Sequence, residues 1–487
     1  MNIRTIAHVL GILLLFLSVT MLLPALIALL YQEPGAPPFY TAALLSALLG
    51  LILRHYGESA FFSHREAFAV VTFSWLSVAV LGGLPFYLGG SLPTIIDSTF
   101  EAMSGITTMG GTVYSAVEGI PHAYLFWRSF LNWIGGMGFI VLAIAVLPKL
   151  HVSSRLFQAE VPGPVNDRIQ PRIKQTASVL WVIYAVMTLL LILLLRVGGM
   201  SAFDAINHAL SAMGTGGFST RNLSLESFQS PYVETVITIF MFLAGINFSL
   251  YFAYLRGRSW RTFRQSTEFK TYLGIIAAAT LLITFNIWGS FAQSWWQALR
   301  LSGFQTVAIM TTTGFSTANY DLWPAFSRAI LFILIFIGGC AGSTSGGMKV
   351  VRIVLCCKYI YRELIRQIHP RAVRYVTLDG RVVDEKVIHS VLGFMLIYVV
   401  VFIIGTLMLT VFNLDLVSAA SSAAAALSNV GPGFGSVGPH GNYSFLPGAA
   451  KALLSLMMLI GRLEIYSVLT LFLPQLWRQR TQPRADL

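Results

Sequence analysis

The chain has 487 residues, 56% of them hydrophobic and 11% charged, against about 25% charged in soluble globular proteins. That deficit excludes a string of soluble domains, because the apolar runs leave no soluble-sized polar stretch between them. The formal net charge of +12 does not point to nucleic acid, since the basic residues lie between apolar segments, where cytoplasmic loops of membrane proteins collect them.

A membrane-crossing helix needs about 20 apolar residues. In chain order the candidates are Ile6–Tyr31, Phe39–Leu53, Ala67–Leu88, His122–Leu147, Thr176–Leu195, Pro231–Leu255, Thr271–Ile287, Phe326–Ile337 continuing after a break into Met348–Ile360, Val387–Phe412 and Ser444–Leu473. The reading is an all-α integral membrane protein with ten spans, the second short and the eighth broken. The first run is too long for a signal-peptide core and lacks a small-residue cleavage site, so it reads as a retained span. With both termini cytoplasmic, 25 of the 32 Lys and Arg fall in or beside cytoplasmic segments. Those are chiefly Lys149–Lys174, Arg256–Lys270, Lys349–Lys386 and Arg478–Arg484, a bias that sets the orientation.

Four further apolar stretches are too short to cross: Thr94–Thr107, Ala202–Met213, Ser294–Met310 and Leu416–Ser428. Each lies between two spans and runs into a glycine-containing polar segment. Irregular backbone at membrane depth is tolerated only where protein buries it or it lines water. The segments align on Gly110, Gly216, Gly314 and Gly431, about every hundred residues, as span, short helix, glycine loop, span. The predicted organisation is two extra spans (1–65), four pore repeats (66–150, 170–262, 268–368 and 386–477) and a tail (478–487). A single glycine turn between spans is only a turn; four in register, each after a half-length helix, argue for an architecture.

A cation entering a membrane must exchange its water shell for oxygen atoms, and rings of backbone carbonyls perform that exchange in K⁺ channels. Glycine supplies the backbone angles that let successive carbonyls point inward. A short helix directs its partially negative C-terminus toward the same axis. The predicted coordinating residues are Thr108, Met109 and Gly110; Gly214, Thr215 and Gly216; Thr312, Thr313 and Gly314; and Asn429, Val430 and Gly431. The coordinated and transported species is expected to be a desolvated cation, K⁺ or a K⁺/Na⁺ mixture on the residues alone, and no bound organic cofactor is expected.

Five of the ten residues from Gly338 to Gly347 are glycine, too many for a helix at about 1 kcal/mol each relative to Ala. The segment reads as an irregular loop at membrane depth, either a packed kink or a movable obstruction below the filter. The residues singled out are Gly338, Gly339, Gly342, Ser343, Thr344, Gly346 and Gly347. Arg462 falls inside the last span, where a charge signals function. It acts as an electrostatic barrier, or pairs with an acid or carbonyl on a neighbouring helix. Glu464 stands about 200° around a continuous helix from Arg462 and could not face the same way. Glu101 and Arg128 are expected to pair, tying the first short helix to the span after it. Asp97, Glu118, Asp204 and Asp321 are candidates for a negative outer mouth. His208 reads as a packing residue, as do Cys340, Cys356 and Cys357, which lack metal-ligand spacing. No catalytic constellation stands out, so an enzyme is not expected.

The chain resembles the Trk/Ktr/HKT superfamily of potassium transporters, most closely its bacterial TrkH branch. The residues that carry the resemblance are Phe100 to Gly105, Trp127-Arg128 with Gly135-Gly136, Gly217 to Thr220, Gly314 to Thr317, Asn429 to Gly433 and Gly461 to Ile465. The two extra N-terminal spans fit that branch, while Met109-Gly110-Gly111 departs from its usual Thr-Gly-Ala. The resemblance implies K⁺ uptake across a bacterial inner membrane and gating by the 338–347 loop. It also implies a homodimer with one pore per protomer, and control by a separate cytoplasmic TrkA-like ring binding NAD(H) or ATP/ADP. A less selective K⁺/Na⁺ conduit and an H⁺-coupled symporter remain the alternatives.

Overall fold

The protein is described by a computed structural model covering residues 2–58, 64–138, 173–257 and 259–474. The end of the His122 segment, most of the Lys149–Lys174 cluster and the 478–487 tail lie outside the described residues. What is described is helical, apart from a two-residue antiparallel hairpin pairing Thr377 with Val382 and Leu378 with Arg381. That hairpin is a small departure from the all-α expectation.

Among the described residues, six helices are long and apolar enough to cross a membrane: Ile3–Leu30, Ala36–Tyr56, Glu66–Leu88, Ala177–Val197, Thr267–Ile287 and Glu385–Thr410. The number rises to eight if two sharply bent pairs each count as one span. Leu189, Leu193, Leu407 and Ile404 stay more than half exposed on their outer faces, as suits helices whose solvent is lipid. The first and second of these helices approach closely, because Gly11 and Gly50 face each other's backbone without a side chain between.

The helices that follow the four glycine loops were expected to be continuous except in the third repeat. The third breaks after Ile337 as expected, and the other three also stop early: His122–Gly136, Pro231–Ala244, Ala325–Ile337 and Gly448–Arg462 have 15, 14, 13 and 15 residues. Each begins at or just after a proline, Pro121, Pro231, Pro324 or Pro447, where the fixed φ and missing N–H suit a helix start. The second resumes at Phe248 after an 86° bend and the fourth at Tyr466 after a 113° bend. Glycines just before two of these stops sit hard against neighbouring carbonyls. A methyl on Gly135 would lie 1.8 Å from the Ile106 carbonyl oxygen, and one on Gly461 1.9 Å from that of Leu427. In the fourth, Glu464 and Ile465 take positive φ.

The core falls into two large apolar clusters. One joins the N-terminal helices to the first and fourth glycine-loop segments; the other is built on the second and third. Ala424, Val430 and Phe434 of the fourth segment pack into the second cluster, which places the four loops at the seam.

Candidate functional site

Each loop hangs from a short helix fixed at both ends. The helices are Ile95–Ile106, Ala202–Gly214, Trp295–Met310 and Leu416–Ser428. Their N-termini are capped by Thr94, Ser201, Ser294 and Asp415, whose side chains accept from the N–H three residues on, at Asp97, Asp204, Gln297 and Ser418. Such caps satisfy otherwise orphaned donors.

The C-termini repeat one arrangement four times. The Thr108 N–H donates to Gly105 O (3.0 Å) and Met109 N–H to Ser104 O (2.9 Å). The corresponding pairs are Thr215 to Ala212 (3.1 Å) with Gly216 to Ser211 (2.9 Å), Thr312 to Ile309 (3.0 Å) with Thr313 to Ala308 (2.8 Å), and Asn429 to Ala426 (3.4 Å) with Val430 to Ala425 (3.0 Å). This is the paired closure in which a helix ends on a left-handed residue. Thr108, Thr215, Thr312 and Asn429 are left-handed, at φ 59°, 55°, 57° and 57°. Two residues on, Gly110, Gly217, Gly314 and Gly431 are left-handed again, at 79°, 72°, 81° and 97°.

That pattern moves the second segment by one residue relative to the sequence alignment. Gly217, not Gly216, corresponds to Gly110, Gly314 and Gly431. Gly216 takes the place of Met109, Thr313 and Val430, and Gly214 is the last residue of the short helix. Three glycines in four residues left the register open to sequence reasoning; the helix closure decides it.

The loops close on one another in order. A methyl on Gly110 would lie 1.6 Å from Gly216 O, on Gly217 2.1 Å from Thr313 O, on Gly314 2.0 Å from Val430 O and on Gly431 2.6 Å from Met109 O. Each loop therefore abuts the next, and the fourth abuts the first. The four left-handed glycines all line one cavity. Backbone oxygens and four helix C-termini meet there, a surrounding that favours a cation over an anion.

Buried polar groups brace the ring from behind. Arg128 Nε lies 2.6 Å from Glu101 Oε1, both side chains fully buried, so the expected pair forms. Glu101 also accepts from Val113 N–H (2.9 Å) and Thr112 Oγ1 (3.0 Å), fixing the chain just past the first loop. The Arg128 guanidinium lies 4.2 Å from the centre of the Phe218 ring in the second loop. Asn132, which sequence reasoning missed, donates to Ser211 Oγ (3.0 Å). His208 is held through both ring nitrogens by Asp204 O and Ser219 Oγ, a packing arrangement. The Met109 thioether lies 3.0 Å from Gly111 N and 3.6 Å from Ser104 Oγ, turned back on its own loop.

The negative mouth is not what the structure holds. Asp97 is paired with Lys451 at 2.6 Å and Asp204 with Arg221 at 3.3 Å. Glu118 accepts from Asn222 N–H and Asp321 from Gly435 N–H. None of the four lines the cavity over the ring, whereas Arg128 and Arg221 do. These carboxylates act as tethers between loops.

The 338–347 loop is irregular, with positive φ at Gly338, Gly342 and Gly347. It contacts the ring directly: Gly346 N–H donates to Thr312 Oγ1 (2.7 Å) and Gly347 N–H to Ser428 O (3.0 Å). It also engages the break after Ala244, through Cys340 N–H to Gly245 O (2.9 Å), Phe248 N–H to Gly342 O (3.0 Å) and Thr344 Oγ1 to Ala244 O (3.2 Å). Gly339 N–H donates to Ser345 Oγ, and Ser343 Oγ to Cys340 O, within the loop.

Arg462 is the last residue of its helix, not a mid-helix charge. Its guanidinium donates to Thr344 O (2.8 Å), Gly135 O (2.6 Å) and Gly136 O (2.8 Å), joining the loop to the end of the His122–Gly136 helix. The helix stops before Glu464, so Arg462 and Glu464 do not share one continuous helix. Glu464 instead pairs with Arg352 at 2.5 Å.

The chain matches the family described as TrkH, cation transport protein, over residues 39–303 and 297–479. It is 40% identical over 488 residues to the Trk system potassium uptake protein TrkH of Salmonella typhimurium, covering 98% of this chain and all of that protein. It is 39% identical to the protein of the same name from Escherichia coli, with the same coverage. It superposes on the crystal structure of the potassium transporter TrkH from Vibrio parahaemolyticus with a TM-score of 0.89, at 36% identity, covering 98% of this chain and 100% of that one. The chain therefore belongs to the TrkH family of cation transport proteins.

Proposed function

We propose that the protein is the membrane subunit of a potassium-uptake system and conducts K⁺ through the ring of loops. The observation that carries this reading is the cyclic closure of four loops of one backbone conformation, each at the C-terminus of a short helix. Four such loops present carbonyl oxygens around a single axis, the ligand set that replaces the hydration shell of a desolvated cation. The coordinating residues are Thr108–Gly110, Thr215–Gly217, Thr312–Gly314 and Asn429–Gly431. Relatives named as potassium uptake proteins support the choice of ion.

In this reading ten spans cross a bacterial inner membrane with both termini cytoplasmic, eight of them in four repeats. The 338–347 loop obstructs the path beneath the ring, and Arg462 adds an electrostatic barrier. The protein works as a homodimer under a TrkA-like cytoplasmic ring that binds NAD(H) or ATP/ADP. The Met109 side chain folds back on its own loop, which supports K⁺ selectivity over a mixed K⁺/Na⁺ conduit despite the departure at that position.

The test is reconstitution of the full chain in vesicles with opposed K⁺ and Na⁺ gradients. A reversal potential that follows K⁺, and does not move when a pH gradient is added, supports passive K⁺ conduction. A reversal potential that follows both cations equally overturns the selectivity, and one displaced by the pH gradient overturns the passive mechanism.

A further inference from the structure

We propose that Glu268 is a positioning residue of the 338–347 loop, a second charged latch that acts alongside Arg462. The inference rests on the reading of that loop as an obstruction. Glu268 is an acid in the first turn of the Thr267–Ile287 helix, where carboxylates commonly complement the helix dipole. In the structure it is buried, and one oxygen reaches out of its own helix. Oε1 accepts from Ala341 N–H at 2.7 Å and from Val351 N–H at 3.2 Å.

The two donors have different standing. Val351 lies in the first turn of the Val350–Ile368 helix, whose own N-cap, Lys349, makes no side-chain capping bond. Glu268 supplies an acceptor there from another helix. Ala341 lies in the loop itself. A single carboxylate oxygen thus ties the loop to the helix that follows it. Charge-assisted bonds of this kind are about twice as strong as neutral ones, and a buried carboxylate left without them is costly.

The charged neighbours fit the same role. The Lys349 ammonium is buried beside the loop and donates to Ser345 O, while Asp379 is engaged at Thr267 N–H (2.6 Å). The loop's other contacts to Gly245, Phe248, Thr312 and Ser428 are neutral. Arg462 grips a loop carbonyl, Thr344 O, and Glu268 grips a loop N–H, Ala341. The grips come from different repeats, so one does not release with the other.

The test uses the full chain in vesicles without any cytoplasmic partner. Glu268→Ala is expected to raise passive K⁺ flux several-fold at an unchanged K⁺/Na⁺ ratio. Glu268→Gln, which keeps an acceptor oxygen and drops the charge, is expected to raise it less, and it decides the matter if the alanine variant does not reconstitute. In a chain lacking residues 339–346, whose own flux should be raised, Glu268→Ala is expected to add nothing. Flux unchanged or lowered by both substitutions, with the loop deletion still raising it, overturns the assignment of Glu268 alone. An added rise in the deleted chain also overturns it. A loop deletion that leaves flux unchanged overturns the obstruction reading itself, and this proposal with it.

Discussion

The ring of loops and the 338–347 loop beneath it are both irregular, glycine-rich backbone, yet they are held in opposite ways. Each ring loop closes on its own helix by the same two backbone hydrogen bonds and is wedged against the next loop with no room for a methyl group. The loop below is held within itself largely by side-chain bonds, Gly339 N–H to Ser345 Oγ and Ser343 Oγ to Cys340 O, where the ring loops use backbone bonds. It is held by backbone bonds with Gly245, Phe248 and Ser428, by hydroxyl bonds between Thr344 and Ala244 O and between Gly346 N–H and Thr312, and by three charged side chains, Arg462, Glu268 and Lys349. A structure that must hold a coordination geometry is over-determined by repeated short-range bonds. In the proposed reading the obstructing loop moves, and its bonds are of varied kinds from several elements rather than one repeated pattern.

The largest expected effect tests the ring side of this contrast. A side chain at Gly110, Gly217, Gly314 or Gly431 meets a neighbouring carbonyl at 2.6 Å or less and sits at positive φ, a strain of about 1–3 kcal/mol before any clash. Serine at any of the four should abolish the preference for K⁺ over Na⁺, read as a shift in reversal potential. Gly216 has ordinary φ and faces the Asn132 side chain, not backbone. Gly216→Ser should therefore cost less selectivity than Gly217→Ser. The reverse order would restore the alignment on Gly216.

Next comes the brace. Removing one partner of the buried Arg128–Glu101 pair, as in Arg128→Met, should lower stability by about 3–5 kcal/mol, because it leaves a buried charge uncompensated. Replacing both partners should cost less than that. Thermal unfolding of the purified single and double variants checks the order. A harmless single substitution would mean the ring does not depend on this anchor.

Much of this was legible in the chain, and the exceptions have physical causes. The four short helices and their glycine loops showed because half-length apolar runs before glycines are rare between long apolar segments. The register of the second loop did not show, because Gly214, Gly216 and Gly217 all permit the needed turn. Threonine at the left-handed helix end was unexpected, since that conformation usually selects Gly or Asn. The early stops after Gly136, Ala244 and Arg462 were hidden because apolar character runs straight across them. Proline at the start of all four helices was a readable signal, and so was the repeated capping pattern at Thr94, Ser201, Ser294 and Asp415. Arg462 stood out as a charge in an apolar run; that it ends a helix could not be seen without the break.

A smaller effect bears on the loop side. A guanidinium about 6 Å from the path, at an effective dielectric near 20, repels a cation by about 3 kcal/mol, roughly a hundredfold in occupancy. Arg462→Ala removes that barrier and the bond to Thr344 O together, so passive flux should rise by up to about that factor. Vesicle flux at matched protein content measures it. No rise would leave Arg462 as a brace joining the loop to Gly135 and Gly136.

The smallest effect concerns the mouth. Glu118 and Asp321 are absent from the cavity lining and spend an oxygen each on a backbone N–H. At about 10 Å in water a full charge contributes only about 0.4 kcal/mol to a cation, and physiological salt screens much of that. Glu118→Gln and Asp321→Asn should therefore change K⁺ flux at low K⁺ by less than about twofold, with little dependence on ionic strength. A steep loss at low ionic strength would return these acids to a role in gathering cations. It would also mean that Arg128 and Arg221, which do line the cavity, are outweighed by charges set further out.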